Sequence, residues 1–553
     1  MESSGTLHKG LVGLIAGLIL AIGLALTPAA GAEAAEKEPL PIIFVHGNSG
    51  SAQQFESNAM RFVSNDFPQD RLFTLEYDTT VDPLENEHAH VALDALIEKV
   101  KAKTGASKVN VMAHSRGTIV MFQYLGSSAD RAAQVNKYVN IDGVYREYLP
   151  GGVPTLALWA EGDSSREITG AINVTYPELS HTEIATSPEG FKQAYRFFLG
   201  KDPETTNIVP ENPNKVTVAG RALNFPANTG MTGSEISVYE LNADTGQRLK
   251  QEAVYTKTID ETGNFGPFKV DGYARYEFVV VRDGFLAVHN YPEPFERDNH
   301  FFRVLSASAL TPYLDQSPNH SNVAVTRMRE WRSDQTGDGA NDQLLMNGEN
   351  VLAPPIAPRA KRILAVFNLD RDVDGVSDHS EIIFPFSAIP SFLTGTDTYL
   401  PASADGSGTI RVVEKMRAPR AQTKVTNIAN WPADKHSLSV YFKDYTAQKY
   451  KFRKAKIGKV KVRGPGKLKK GKKGTYKVKI WNSGETAATG VKVKVSGRGI
   501  TAKKPVGTIP ASKTKTVRVK VKPKNPGRIK VSFKVTSKKA GSKTVKKKIN
   551  VKK

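Results

Sequence analysis

An apolar run over residues 109–122, VNVMAHSRGTIVMF, is interrupted by Ala-His-Ser-Arg-Gly. Ser115 stands there with small residues on either side, Ala113 two positions before it and Gly117 two positions after. A serine hydroxyl is a weak nucleophile until a neighbouring base takes its proton, so a reactive serine must be held where a base can reach it. A sharp strand-to-helix turn does this and tolerates only small residues at those two flanking positions. The apolar KVNVMA reads as the strand, and the helical spacing of GTIVMFQYL as the helix. The bland alternative is a serine capping a helix. The strand–turn–helix context favours an exposed nucleophile.

Attack on an acyl carbon creates an oxyanion that needs two preorganised N–H donors. One is expected from the backbone of Arg116, directly after the serine. The other is expected from the backbone of Asn48, in PIIFVHGNSGS, where a strand runs into a glycine-bounded turn. The base should come last in chain order. His181 meets that condition, lying past the strand-like INVTYP and ahead of the helix-like EGFKQAYRFFLG. His46 and His114 fit loop-shaping roles, and His88 and His90 a solvated helix face. The acid that orients the imidazole is either Asp142, closing KYVNID, or Asp163, closing TLALWAEGD. Spacing alone leaves both open, and the loser would be a turn or cap residue.

The elements that must position these residues come next. Residues 38–202 alternate short apolar runs with helical stretches, which predicts an α/β domain with a parallel sheet covered on both faces. Residues 1–32 read as a secretory signal peptide: Lys9, an apolar core over 11–26 and the small-residue site Ala30-Gly31-Ala32. The mature protein is therefore expected to be secreted. The chain has no cysteine, which excludes disulfides, a thiol nucleophile and a Cys-ligated metal, and fits a bacterial export route. Residues 206–448 are strands punctuated by turn residues, read as one or two antiparallel β-domains. Residues 456–553 alternate valine with lysine at period two, the pattern of an Ig-like β-sandwich. Charge divides the chain at the same place. Residues 451–553 hold 36 Lys plus Arg and one acid, Glu485, whereas residues 1–450 hold 41 basic and 54 acidic residues.

Residues 40–448 resemble the secreted carboxyl-ester lipases of an archaeal–bacterial family, in which an α/β-hydrolase core precedes a β-rich lipid-binding domain. The resemblance runs through VHGNSGS, AHSRGT, SADRAAQVNKYVNIDGV, GGVPTLALW, SHTEIATSPEGF and WPADKHSLSVYFKDY. It implies Asp142, of the Asp142-Gly143 pair, as the acid, with Asp163 as runner-up. It also implies that the β-region helps to bind long acyl chains. The apolar FPFSAIPSFL (384–393) would serve that end, or else be ordinary core. The family commonly carries methionine after the nucleophile. Arg116 here would put a charge beside the acyl pocket.

Three further expectations follow. The loop DTTVDPLEN (78–86) is the candidate flap over the site. Asp370, Asp372, Asp374, Gly375 and Glu381 match the D-x-D-x-D-G-x5-E calcium-loop pattern, and DQTGDGAND (334–342) echoes it without the final acid. Strand-like flanks and Asp-Gly turns offer a bland alternative for both. The basic C-terminal segment should bind a polyanionic cell wall or membrane surface. Its few aromatics argue against specific nucleic acid. The whole reads as a secreted serine hydrolase of fatty-acid esters that needs no cofactor for its chemistry, with structural calcium as the one expected ion. The competing readings are a surface-binding protein with a vestigial hydrolase core and another acyl hydrolase such as a polyester depolymerase.

Overall fold

The computed structural model describes residues 38–306 and 310–553. The expected signal peptide at 1–32 lies outside the described residues. Among these, no helix is long and apolar enough to cross a membrane.

The first region is a six-stranded, all-parallel sheet. Its strands are β1 (Ile42–Val45), β2 (Leu72–Leu75), β3 (Val109–His114), β4 (Val135–Ile141), β5 (Thr155–Trp159) and β6 (Ile172–Thr175), in the order β2-β1-β3-β4-β5-β6. Strands β1, β3 and β5 are buried along their whole length. That is why they read as continuous apolar runs rather than as alternations. Six helices accompany the sheet: α1 (Glu56–Ser64), α2 (Glu87–Thr104), α3 (Arg116–Ser127), α4 (Ala129–Gln134), α5 (Glu183–Thr186) and α6 (Pro188–Leu199). One face of the sheet packs Phe44, Met112 and Leu158 against Phe62, Phe191 and Phe198. The other packs Val45, Val111 and Ala113 against Leu93, Val120 and Tyr124. Helix α6 begins where Ser187 Oγ accepts from the Gly190 amide, with Pro188 at its first position, and ends at the left-handed Gly200.

The β-rich region holds an eight-stranded sheet and two four-stranded sheets. Most pairings are antiparallel, but His436–Tyr441 lies parallel to both Ala287–Pro292 and Val323–Trp331. The last strand of the region therefore fills the centre of the large sheet. It joins the halves before and after residue 310 into one continuous sheet.

The C-terminal region is a sandwich of a three-stranded and a five-stranded sheet around its own core, including Val478, Val493, Val495, Val531 and Phe533. The lysines alternate with these residues and stand exposed.

Candidate active site

Ser115 occupies the single residue between β3 and α3, and its backbone is held at φ 54°, ψ −125°. A non-glycine residue persists there only when its surroundings enforce it. They do. A Cβ on Gly117 would lie 2.6 Å from the carbonyl oxygens of Val45 and His46, and one on Gly47 would lie 3.0 Å from Ser115 Cβ. The small-residue pattern in the sequence is therefore a packing requirement: α3 starts directly against the end of β1.

His181 follows β6 and precedes α5. Its Nε2 is 2.9 Å from Ser115 Oγ, and its Nδ1 is 2.6 Å from Asp142 Oδ2. Asp142 closes β4 in a left-handed conformation. Its other oxygen accepts from the Ala160 amide and from Arg166 Nη1, both at 2.9 Å. Burial pushes the Asp142 carboxyl up, but His181, Ala160 and Arg166 together hold it below the ordinary carboxylate value. Asp163 goes elsewhere. It is exposed, and its Oδ1 accepts from the Ser165 amide and hydroxyl at 2.8 and 2.7 Å. The alternative acid is a turn-capping residue.

His114 is buried behind Ser115, His181 and Asp142. It accepts from Gln54 Nε2 at 2.6 Å and donates through Nε2 to the His181 carbonyl at 2.8 Å. Burial, and then the neighbouring His181, push it down to about 3, so it stays neutral and keeps this donor–acceptor pattern. His90 departs from the expected solvated face. It is buried between α2 and α3, with Nε2 3.1 Å from the Val120 carbonyl.

The Arg116 side chain also departs from expectation. It is buried and points away from the acyl pocket, donating to the Thr79 carbonyl at 2.8 Å, Asn48 Oδ1 at 3.1 Å, the Asp82 carbonyl at 3.2 Å and Asn86 Oδ1 at 3.3 Å. The guanidinium ties the 78–86 loop down and leaves the main-chain N–H of Arg116 as its contribution on the Ser115 side.

Ser115 and Asn48 open onto a cavity of about 340 Å³ between the hydrolase core and the β-rich region. Leu305, Leu310, Leu364, Phe367, Ile389 and Leu438 are among its apolar walls. The FPFSAIPSFL stretch divides: Phe386 is core beneath the wall, while Ile389, Phe392 and Leu393 face the cavity. Phe392 stacks at 6.4 Å from the His181 ring and adopts φ 71°.

The calcium pattern is only half met. Asp370 and Asp372 present oxygens within 4.8 Å of each other and of Asp397, from the strand Leu393–Asp397. Asp374 is not in the group: its Oδ1 caps the Val376 amide at 2.7 Å. Glu381 is exposed and lies outside the group as well. In the echoing loop Asp342 is buried and paired with Arg327 at 2.9 Å and Arg417 at 2.6 Å.

Three residues of this architecture had no sequence signal: Arg166 on Asp142, Asp397 beside the two loop aspartates, and Glu330, whose carboxylate reaches the His181 loop.

The chain is similar to lipases in two successive segments. The model of class 2 lipases matches residues 39–137, which include Asn48 and Ser115, and the lipase C-terminal domain model matches residues 214–309. A further C-terminal-domain model matches residues 309–446, and an Ig-like domain model of the HYDIN/CFA65/VesB-like type matches residues 464–552. Together they support a lipase-like hydrolase with an Ig-like C-terminal module. Solved structures with partial likeness include a gene product of Listeria innocua (14% identity, 30% of this chain and 97% of that one, TM-score 0.25). Lipase B of Aspergillus fumigatus is another (12% identity, 31% and 55%, TM-score 0.25). A third is the CARDB domain of a Pyrococcus furiosus protein (18% identity, 19% and 94%, TM-score 0.16).

Proposed function

We propose that this chain is a secreted serine hydrolase that cleaves carboxylic esters of fatty acids, as a triacylglycerol lipase or carboxylesterase. The observation that carries the reading is a Ser115–His181–Asp142 relay at the mouth of an apolar cavity. Ser115 Oγ attacks the ester carbonyl while His181 Nε2 takes its proton and Asp142 stabilises the imidazolium. The oxyanion is held by the backbone N–H groups of Asn48 and Arg116. Collapse passes the proton from His181 to the leaving alcohol. Water, activated by the same His181, then releases the fatty acid from Ser115. The acyl chain lies along the walls formed by Leu305, Leu364 and Phe367, where burial favours it by ~0.8 kcal/mol per CH₂ group.

Two accessory roles complete the proposal. Asp370, Asp372 and Asp397 hold a structural calcium; besides their proximity, Asp370 Oδ1 is buried without a hydrogen-bond partner. The C-terminal sandwich binds a polyanionic wall polymer or surface and retains the secreted enzyme there. Its pairing places like charges opposite one another, with Lys494 facing both Lys503 and Lys534, Lys530 facing Lys548, and Lys461 facing Lys479. Its one acid, Glu485, is consumed at the junction by Tyr450 and Arg453, so an external anion is the available counter-charge.

The test is hydrolysis of p-nitrophenyl esters of increasing chain length by the chain from residue 33, beside its Ser115→Ala variant. Activity on long chains that vanishes in the variant supports the lipase reading. Activity confined to short chains makes it an esterase. A folded protein inactive on every ester moves the reading to a surface-binding protein.

A further inference from the structure

His181 must present its Nε2 to Ser115 with sub-ångström accuracy, yet it sits on a short connection between β6 and α5. The hydrolase core holds that connection at the Leu179 carbonyl, through the Glu161 amide at 2.8 Å, and at the His181 carbonyl, through His114. On the residues directly flanking His181 the further polar hold comes from the β-rich region. Glu330, fully buried in the strand Val323–Trp331, turns its carboxylate onto the residues flanking His181. Oε1 accepts from the Thr182 amide at 2.8 Å. Oε2 accepts from the Glu183 amide at 3.1 Å and from the Ser180 hydroxyl. The strand breaks register between Thr326 and Trp331, and such bulges re-aim side chains. Glu183 is gripped in turn by Arg329 at 2.7 Å, Arg420 at 2.9 Å, Arg417 at 3.2 Å and Arg332 at 3.4 Å.

We infer that Glu330 is a positioning residue for the base: its carboxylate fixes the backbone on both sides of His181 and so sets the distance from His181 to Ser115. It touches neither Ser115 nor the cavity, and acts only through the amides of Thr182 and Glu183 and the hydroxyl of Ser180. The β-rich region thereby becomes a part of the catalytic machinery as well as a wall of the acyl site. A carboxylate suits this post because all three of its partners are donors. A glutamine would turn an NH₂ group toward an N–H or O–H, lose a contact and push the loop away.

The inference rests on the proposed serine-hydrolase reading, and its test separates the two. Full-length Glu330→Gln is compared with wild type and with Glu293→Gln. Glu293 is also buried, but it pairs with Lys424 and the Lys443 amide, away from the His181 loop. Turnover of a water-soluble short ester should fall by about 10- to 100-fold in Glu330→Gln, with KM within about twofold, because a shift of about 1 Å costs about 100-fold. The rate of fluorophosphonate labelling of Ser115 should fall in parallel. Glu293→Gln should keep both rates even if its melting temperature drops as far. Glu330→Asp should fall short of wild type and Ser180→Ala should lose less than Glu330→Gln; the latter also carries the test if Glu330→Gln does not fold. A readout independent of turnover is the low-field proton resonance of the His181 Nδ1–H to Asp142 bond. It should be sharp in wild type and Glu293→Gln, and broadened in Glu330→Gln and Ser180→Ala. Wild-type turnover in Glu330→Gln, or equal losses in Glu293→Gln, overturns the inference. A sharp wild-type resonance that broadens in Glu330→Gln without any esterase activity upholds the clamp and refutes the hydrolase reading instead.

Discussion

Replacing Asp142 with asparagine is the most informative single change, because the structure dictates how the new amide must sit. One carboxylate oxygen accepts a hydrogen bond from His181 Nδ1–H at 2.6 Å, and the other accepts two, from the Ala160 amide and Arg166, at 2.9 Å each. An asparagine has one acceptor oxygen and one donor NH₂. If its oxygen faced His181, its NH₂ would meet two donors in a buried place. The favoured orientation is the reverse, with the oxygen on Ala160 and Arg166 and the NH₂ on His181. The imidazole must then carry its proton on Nε2, where it cannot accept one from Ser115. The charge is also lost. At ~4 Å between charge centres and an effective dielectric constant of ~20, the imidazolium–carboxylate attraction is ~4 kcal/mol. At ~1.36 kcal/mol per decade that is a factor of ~10³, and the wrong tautomer takes the loss toward ~10⁴. The assay is kcat/KM on a short p-nitrophenyl ester, with thermal unfolding followed alongside. Asp163→Asn, at the exposed turn, should stay within about twofold of wild type. An Asp142→Asn enzyme retaining more than a tenth of wild-type activity, or an equal loss in Asp163→Asn, would refute the reasoning.

Calcium should raise the melting temperature of the full chain and EGTA should reverse it. Asp397→Asn should abolish the response and Glu381→Gln should leave it intact; a response that needs Glu381 instead would mean the sequence pattern, not the observed cluster, is the site. Glu56 is fully buried, and burial outweighs its hydrogen bonds to Tyr441 and Asn299 to push its carboxyl up to about 7. Its folded value lies above its unfolded one, so its contribution to stability is present below ~4.5 and lost as pH rises through about 7, by at most ~3 kcal/mol. Glu56→Gln should therefore melt higher than wild type at pH 8 and no higher at pH 5, and a variant that is less stable at pH 8 contradicts this. Full-length protein should bind inorganic polyphosphate with an affinity that falls steeply with salt, and removal of residues 451–553 should abolish binding. Salt alone should stabilise the sandwich, because its opposed lysines repel; a melting temperature indifferent to salt would count against the lysine array as the anion site.

What could be read from the chain was local. The strands of the core are legible as short apolar runs, buried throughout in β1, β3 and β5 though exposed at the edge strand β6, and Ser115 because Gly117 has no room for a Cβ. His181 was legible from its place between a strand and a helix. The acid was legible only through the family resemblance, since by spacing alone Asp142 and Asp163 both follow apolar runs and the fold decides which one the imidazole meets. Helix α1 passed unnoticed because its inward face includes Glu56, Asn58 and Arg61, whose burial is made tolerable by partners far along the chain. Arg116 was misjudged because position relative to the nucleophile fixes where its amide lies, and not where a long side chain goes.

The harder omissions share one cause. Arg166 belongs to the domain of Asp142 but reaches it across 24 residues, Asp397 lies 25 residues beyond Asp372, and Glu330 lies 148 residues beyond the amide it holds. Arg166 and Glu330 are a guanidinium and a carboxylate whose isolated burial would be costly, and each is tolerated because fixed partners meet it, whereas Asp397 is half-buried beside two other aspartates. Such pairs leave no periodicity and no motif, for their spacing is set by sheet order and not by a turn. The same reasoning assigns function to the interface between the hydrolase core and the β-rich region. Glu183 with its four arginines is an ion group that loses its compensation if the two regions separate. Separation would also open one wall of the acyl cavity and release the His181 loop from Glu330. A hydrolase core expressed alone, residues 33–204, should therefore be inactive even where it folds, and ester turnover by that fragment at the rate of the full chain would show that the base needs no hold from outside its own domain.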